Sequence, residues 1–145
     1  MAKLFLPIAA LALVLLAVAC GGGTTDSGQT TAAGAVTFDI SLADSSTPAG
    51  ASPDGATAEY QPKEFTVSPG QGVTFNLTNI GQAVHTMRIA GRDNKYETGD
   101  DAVVEPYFVK SGETAVLTWT APEEAGTYNF RCDFHPQSVG TVVVR

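Results

Sequence analysis

The chain has 145 residues, 43% of them hydrophobic and 16% charged, which suits one domain with a modest core and a tail. A formal net charge of -7 and a pI near 4.6 leave no basic footprint for a phosphate backbone, so nucleic acid is not expected as a partner. Fifteen Gly and eight Pro spread between short apolar runs point to an all-β protein rich in turns; two Cys and two His are too few for a disulfide framework or a multi-metal imidazole cluster.

Residues 1–19 read as a secretory signal. Lys3 gives a lone positive charge, and the run 4–19 is apolar throughout, with Pro7 inside it. That run is shorter than the about 20 residues a membrane-spanning helix needs, and it ends in small residues, as before a cleavage site. Leu16-Ala17-Val18-Ala19-Cys20 resembles a bacterial lipoprotein signal, with Ala17 where a Leu is usual, and the resemblance implies that Cys20 becomes the lipidated first residue of the mature chain. An exported chain also permits a Cys20–Cys132 disulfide as the alternative. Residues 20–35 carry the lipidated Cys and a tether rich in Gly, Thr, Ser and Ala, which cannot bury a core. The expected location is therefore exported, lipid-anchored to the bacterial cell membrane and facing the periplasm or the exterior.

Residues 36–145 form the domain. Apolar and polar residues alternate there over short stretches bounded by Gly, Pro, Asn and Asp, the period of half-buried strands. Strands are expected at 36–42, 64–67, 73–78, 84–89, 107–109, 114–120, 127–132 and 141–144, a number that suits a sandwich or barrel. Between them, 43–58 reads as a surface loop and 91–105 as an acidic surface stretch with room for a helical turn.

Face assignment makes the rare residues informative. His85 shares the inward face of its strand with Met87 and Ile89, while Val84, Thr86 and Arg88 lie on the other. Tyr128, Phe130 and Cys132 share a face of theirs, and His135 follows in the loop before Pro136. One inward His, one inward Cys and one loop His can converge at one end of a sandwich. Two imidazoles and a thiolate are the ligand set of blue-copper electron-transfer sites. His85 alone would read better as a satisfied core histidine. As a set the reading changes, because both His and the single Cys outside the lipoprotein motif fall in two short segments.

Glu64-Phe65-Thr66-Val67, Pro69-Gly70, Val73-Thr74-Phe75, Asn79 upstream of His85, Cys132-Asp133-Phe134-His135-Pro136 and Gly140-Thr141-Val142-Val143-Val144 together resemble the cupredoxin family, the group of plastocyanin, amicyanin and azurin. The resemblance implies a Greek-key β-sandwich of about eight strands. It further implies one type 1 copper held by His85, Cys132 and His135, with Asn79 hydrogen-bonding near the site. Amicyanin-like members carry an axial Met at the position of Ser138. The axial candidates are therefore Ser138 itself, Gln137 through its amide oxygen, as in stellacyanin-like members, and Met87, which reads as core packing. A backbone carbonyl at Val84 is a further possibility, as in azurin.

A single Cys132 excludes the binuclear copper centre that needs two thiolates, and no His remains for the second copper of a multicopper oxidase or nitrite reductase. The domain is accordingly expected to be no enzyme by itself but a monomeric one-electron carrier. Phe134, Pro136, Val139 and Ala83 would form an apolar docking patch around His135, since the resemblance implies that this His reaches the surface. The acidic balance favours a basic redox partner such as a c-type cytochrome, or a membrane electron-transfer complex. The alternative is a copper-binding or delivery protein of the envelope without an electron-transfer role; a cupredoxin-like adhesion domain that has lost its metal is a third reading.

Overall fold

Along residues 72–79 every second side chain is apolar, and Val73, Phe75 and Leu77 are all buried while their neighbours stay partly exposed. The same period of two organises most of the domain. The computed structural model describes residues 34–46 and 56–145, so the signal, Cys20 and the tether up to residue 33 lie outside the described residues. The strands are β1 (Val36–Ser46), β2 (Ala56–Gln61), β3 (Glu64–Val67), β4 (Gly72–Asn79), β5 (Arg88–Ile89), β6 (Ala102–Val103), β7 (Thr114–Thr120), β8 (Gly126–Arg131) and β9 (Val139–Val144). They form two sheets of order β2-β1-β4-β7 and β3-β9-β8-β5-β6. The pairs β1/β4 and β3/β9 are parallel and the others antiparallel. This is the expected all-β Greek-key sandwich, with no helix among the described residues.

Aromatic rings fill the core. Phe65 of β3 meets Phe75 of β4 edge-on at 5.1 Å between centroids, and Tyr60 of β2 meets Phe130 of β8 at 5.0 Å and 89°. These contacts join one sheet to the other, and such edge-to-face pairs add about 0.5–1.5 kcal/mol each beyond burial. Gly140 lies opposite Phe130 in the β8/β9 register. A Cβ there would run into the Phe130 ring and come within 2.6 Å of the Lys63 carbonyl, so only glycine lets β9 pass.

The expectation fails in three places. The stretch 43–58 is not a loop at both ends: β1 continues to Ser46 and pairs antiparallel with β2, with Leu42 opposite Tyr60 and Asp44 opposite Ala58. Ala56–Gln61 is an edge strand whose residues do alternate, but two of its three apolar positions are the small Ala56 and Ala58, a faint signal after the Gly and Pro that precede it. The expected strand at 84–89 shortens to β5, His85 making one antiparallel bridge with Val109, which is also all that remains of 107–109. The acidic stretch 91–105 contributes β6 to the edge beside β5.

Asn79 closes β4 and is wholly buried. Its side-chain amide donates to the carbonyls of Ala83 (2.7 Å) and Val109 (2.8 Å), and its side-chain oxygen accepts from the Gly81 amide (2.9 Å). One side chain therefore ties β4, the loop leading to His85 and the segment that His85 pairs with. Asn79→Ala takes this partner from the Ala83 carbonyl and the Gly81 amide, at about 1–3 kcal/mol for each buried group left unpaired, while the Val109 carbonyl keeps its bond from the His85 amide. A loss of about 2 kcal/mol or more is expected in urea unfolding of the metal-free protein. A loss below about 0.5 kcal/mol, the scale of a surface substitution, would show that the loop stands without Asn79.

Candidate metal centre

The three rare residues do meet. His85, Cys132 and His135 are all buried, and one donor atom from each lies within 4.8 Å of the others. The Cys132 sulfur is 3.4 Å from Nδ1 of His135, and the two imidazole rings stand 5.1 Å apart between centroids. His85 is held by backbone bonds to Val109 in both directions, at 3.1 and 3.0 Å. Cys132 follows β8 directly, and a turn brings the chain back to it: the Ser138 amide donates to the His135 carbonyl (2.8 Å), and the Cys132 amide to the Ser138 carbonyl (3.1 Å). Those bonds fold the loop over the site and bury His135 to 1% exposure, where the resemblance implied a ring reaching the surface.

Cys132 is a free thiol. Its sulfur accepts from the Thr86 amide at 3.4 Å and faces the Thr86 hydroxyl at 3.8 Å. That hydroxyl in turn accepts from the Asp133 amide (2.9 Å), and the buried Tyr60 hydroxyl donates to the Thr86 carbonyl (2.6 Å). Burial, together with the negative charges of Cys132 and Asp133, pushes the Tyr60 phenol well above its ordinary range, so it stays a neutral donor.

The axial candidates separate by position. Gln137 is exposed on the turn. Met87 is fully buried in the hydrophobic core. Ser138 is 4% exposed, and its hydroxyl is buried with no hydrogen-bond partner among the described residues. The β8/β9 register pairs Arg131 with Val139, so one step further Ser138 stands opposite Cys132. Opposed residues of an antiparallel pair share a face. A soft thiolate, two imidazoles and an orphaned hydroxyl on the thiolate's own face make a donor set that fits a single type 1 copper.

Three residues of the site escape sequence reasoning. Thr86 was expected to face outward, yet it is fully buried, because the chain leaves regular strand geometry after His85 and turns the Thr86 amide to the sulfur. Asp133 holds Arg88 through Nε (2.8 Å) and accepts from the Tyr107 hydroxyl (2.9 Å), fixing the residue next to Cys132. Asp44 Oδ1 lies 2.8 Å from Nε2 of His85. A signal for Asp44 did exist: it continues the face of Phe38, Ile40 and Leu42, a charge at the parity of the core.

Comparison with known proteins agrees with this fold. The family model described as a cupredoxin-like domain matches residues 9–144. No curated protein matches the chain significantly. Among solved structures, auracyanin A, a blue copper protein from the green thermophilic photosynthetic bacterium Chloroflexus aurantiacus, is 23% identical with a TM-score of 0.53, over 76% of this chain and 98% of that one. The auracyanin of the photosynthetic bacterium Roseiflexus castenholzii is 22% identical with a TM-score of 0.52, over 78% of this chain and 99% of that one. A multicopper oxidase is similar at 17% identity and a TM-score of 0.53, over 75% of this chain but 41% of its own. At such identities the likeness establishes the sandwich, and the family match over most of the sequence says more: the chain belongs to the cupredoxin-like family.

Proposed function

We propose that the domain is a one-electron carrier of the bacterial cell envelope, with His85, Cys132 and His135 as the ligands of its copper. The observation that carries this is the buried meeting of the three donor atoms within 4.8 Å. When bound, copper supplies one-electron exchange between Cu(II) and Cu(I), tuned by the axial side and by hydrogen bonding at the sulfur. The protein's part is to hold the ligands still. Asn79 fixes the loop before His85, Thr86 fixes the sulfur, and the two sheets carry both, so little rearrangement accompanies a change of charge. Held in this way, the domain is a carrier and not a catalyst.

Access for a partner is by the surface around the ligand loops. Phe108 and Phe134 are 53% and 39% exposed and stack at 5.7 Å, and Val84 and Val139 flank the ligand segments as exposed apolar groups. Such a patch on an acidic monomer suits transient docking of a basic redox protein, a c-type cytochrome or a membrane electron-transfer complex. Lipid on Cys20 would keep the domain at the membrane, with residues 20–35 as the tether. Ser138 is our choice for the axial side, because its hydroxyl is buried and unpaired among the described residues. Weak axial donation also suits the second reading, a copper-delivery protein. Reversible redox cycling with the metal retained separates a carrier from a donor that surrenders Cu(I) to a chelator.

The soluble domain, residues 36–145, is expected to take up one Cu(II) and develop an intense thiolate-to-copper band in the visible, lost in Cys132→Ser with the β fold intact. A colourless protein after stoichiometric Cu(II) would overturn the assignment. Ser138→Met should shift the midpoint potential and the spectral band ratio together, while Gln137→Leu leaves both unchanged; the opposite pattern would move the axial role to Gln137. In cells, Cys20→Ala should release the protein into soluble fractions or block its processing, and membrane retention of a processed variant would contradict the lipid anchor.

A further inference from the structure

The carboxylate of Asp44 sits where β1 ends, on the parity of the buried Ile40 and Leu42, and reaches under the loop that leads to His85. It accepts from the backbone amides of Gln82 (2.5 Å) and Ala83 (3.2 Å), and its Oδ1 is 2.8 Å from Nε2 of His85. Its side chain keeps 26% of its surface in solvent, and both backbone amides point their hydrogens at it, as at an ionised carboxylate. An ionised carboxylate can only accept. The ring nitrogen facing it must therefore carry a proton, which in the neutral imidazole leaves Nδ1 of His85 with the lone pair. Gly81 makes the approach possible, since a Cβ at that position would collide with the Asp44 carboxylate and come within 2.9 Å of its backbone nitrogen.

We propose that Asp44 is a positioning residue of the metal centre: it fixes the His85 tautomer and makes the imidazole a stronger donor, so that Cu(II) is favoured over Cu(I). The inference rests on His85 being a copper ligand. Carboxylates that orient a metal-bound histidine are worth roughly 10–100-fold in metal affinity. The negative charge beside the imidazole also acts more strongly on the more highly charged oxidation state.

Three variants of the protein test this: Asp44→Asn, which keeps an acceptor oxygen but not the charge, Asp44→Ala, and Gly81→Ala, which displaces the carboxylate without removing it; a fourth, Asp44→Glu, restores the charge at a longer reach. Two readouts are taken on each folded variant. In the metal-free protein, ¹⁵N NMR should find His85 in the Nε2–H tautomer in the wild type and a tautomer mixture in Asp44→Ala and Gly81→Ala. This readout stands whether or not copper binds. In the copper-loaded protein, Cu(II) affinity should fall about 10–100-fold in Asp44→Ala. The midpoint potential should rise in all three variants, by about 59 mV for each tenfold loss of Cu(II) relative to Cu(I). Asp44→Glu should recover part of both effects. An unchanged potential in Asp44→Asn and Asp44→Ala, or an Nδ1–H tautomer in the metal-free wild type, would overturn the role of Asp44. A wild type that takes up no copper, with the tautomer shift present, would instead overturn the copper reading and leave the orientation of His85 standing.

Discussion

The hydrogen bond from the Thr86 amide to the Cys132 sulfur joins the two ligand-bearing segments, and the rest of the site depends on it. Thr86 follows His85 directly, so a link from its backbone to the sulfur sets how far the imidazole stands from the thiolate. The same residue uses every polar group it has. Its hydroxyl accepts from the Asp133 amide and its carbonyl from the Tyr60 hydroxyl, so β2, the His85 segment and the start of the Cys132 loop meet at one threonine.

Around this junction the protein buries charge only where it is paired. Arg88 reaches Asp133 through Nε and Asp101 through Nη1 at 3.0 Å, and Asp101 is almost wholly buried. Burial raises the Asp101 carboxyl, but its bonds from Arg88, Thr98 and Gly91 prevail and hold it below the ordinary range. The sign follows: Asp101 contributes stability that is complete above the unfolded aspartate pKa of about 3.9 and is lost as the pH falls through its lower folded value. The pair also stitches β5 to the stretch 91–105 and to the residue after Cys132. The ligand end of the sandwich is thus clamped by a second charged group besides Asp44. Two charged groups reach the metal-binding end from outside the ligand loops, one pinning the His85 ring and the other the chain beside the sulfur.

Much of this was legible in the sequence where period and rarity coincide. The alternation of Val73, Phe75 and Leu77, and of Tyr128, Phe130 and Cys132, gave correct inward faces because each lies in a strand with one buried side. The convergence of His85, Cys132 and His135 was legible because the chain has so few such residues. β2 was fainter, since its alternation rests on two small Ala and the single Tyr60, directly after a stretch rich in Gly and Pro. Thr86 was not legible, since strict alternation assumes an unbroken strand, and residues 84–87 make only one bridge. Asp44 was visible as a charge on a core face, but its partner lies 41 residues away, and no local pattern carries that distance.

The central claim is that one sulfur and two imidazoles, prearranged by the sandwich, hold one copper in both oxidation states. X-ray absorption at the copper edge, recorded on the oxidised and the reduced domain, measures this most directly. The expected result is one sulfur and two imidazole nitrogens in the first shell of each state, with little change between them. A first shell without sulfur, or one that gains or loses an imidazole on reduction, would contradict it.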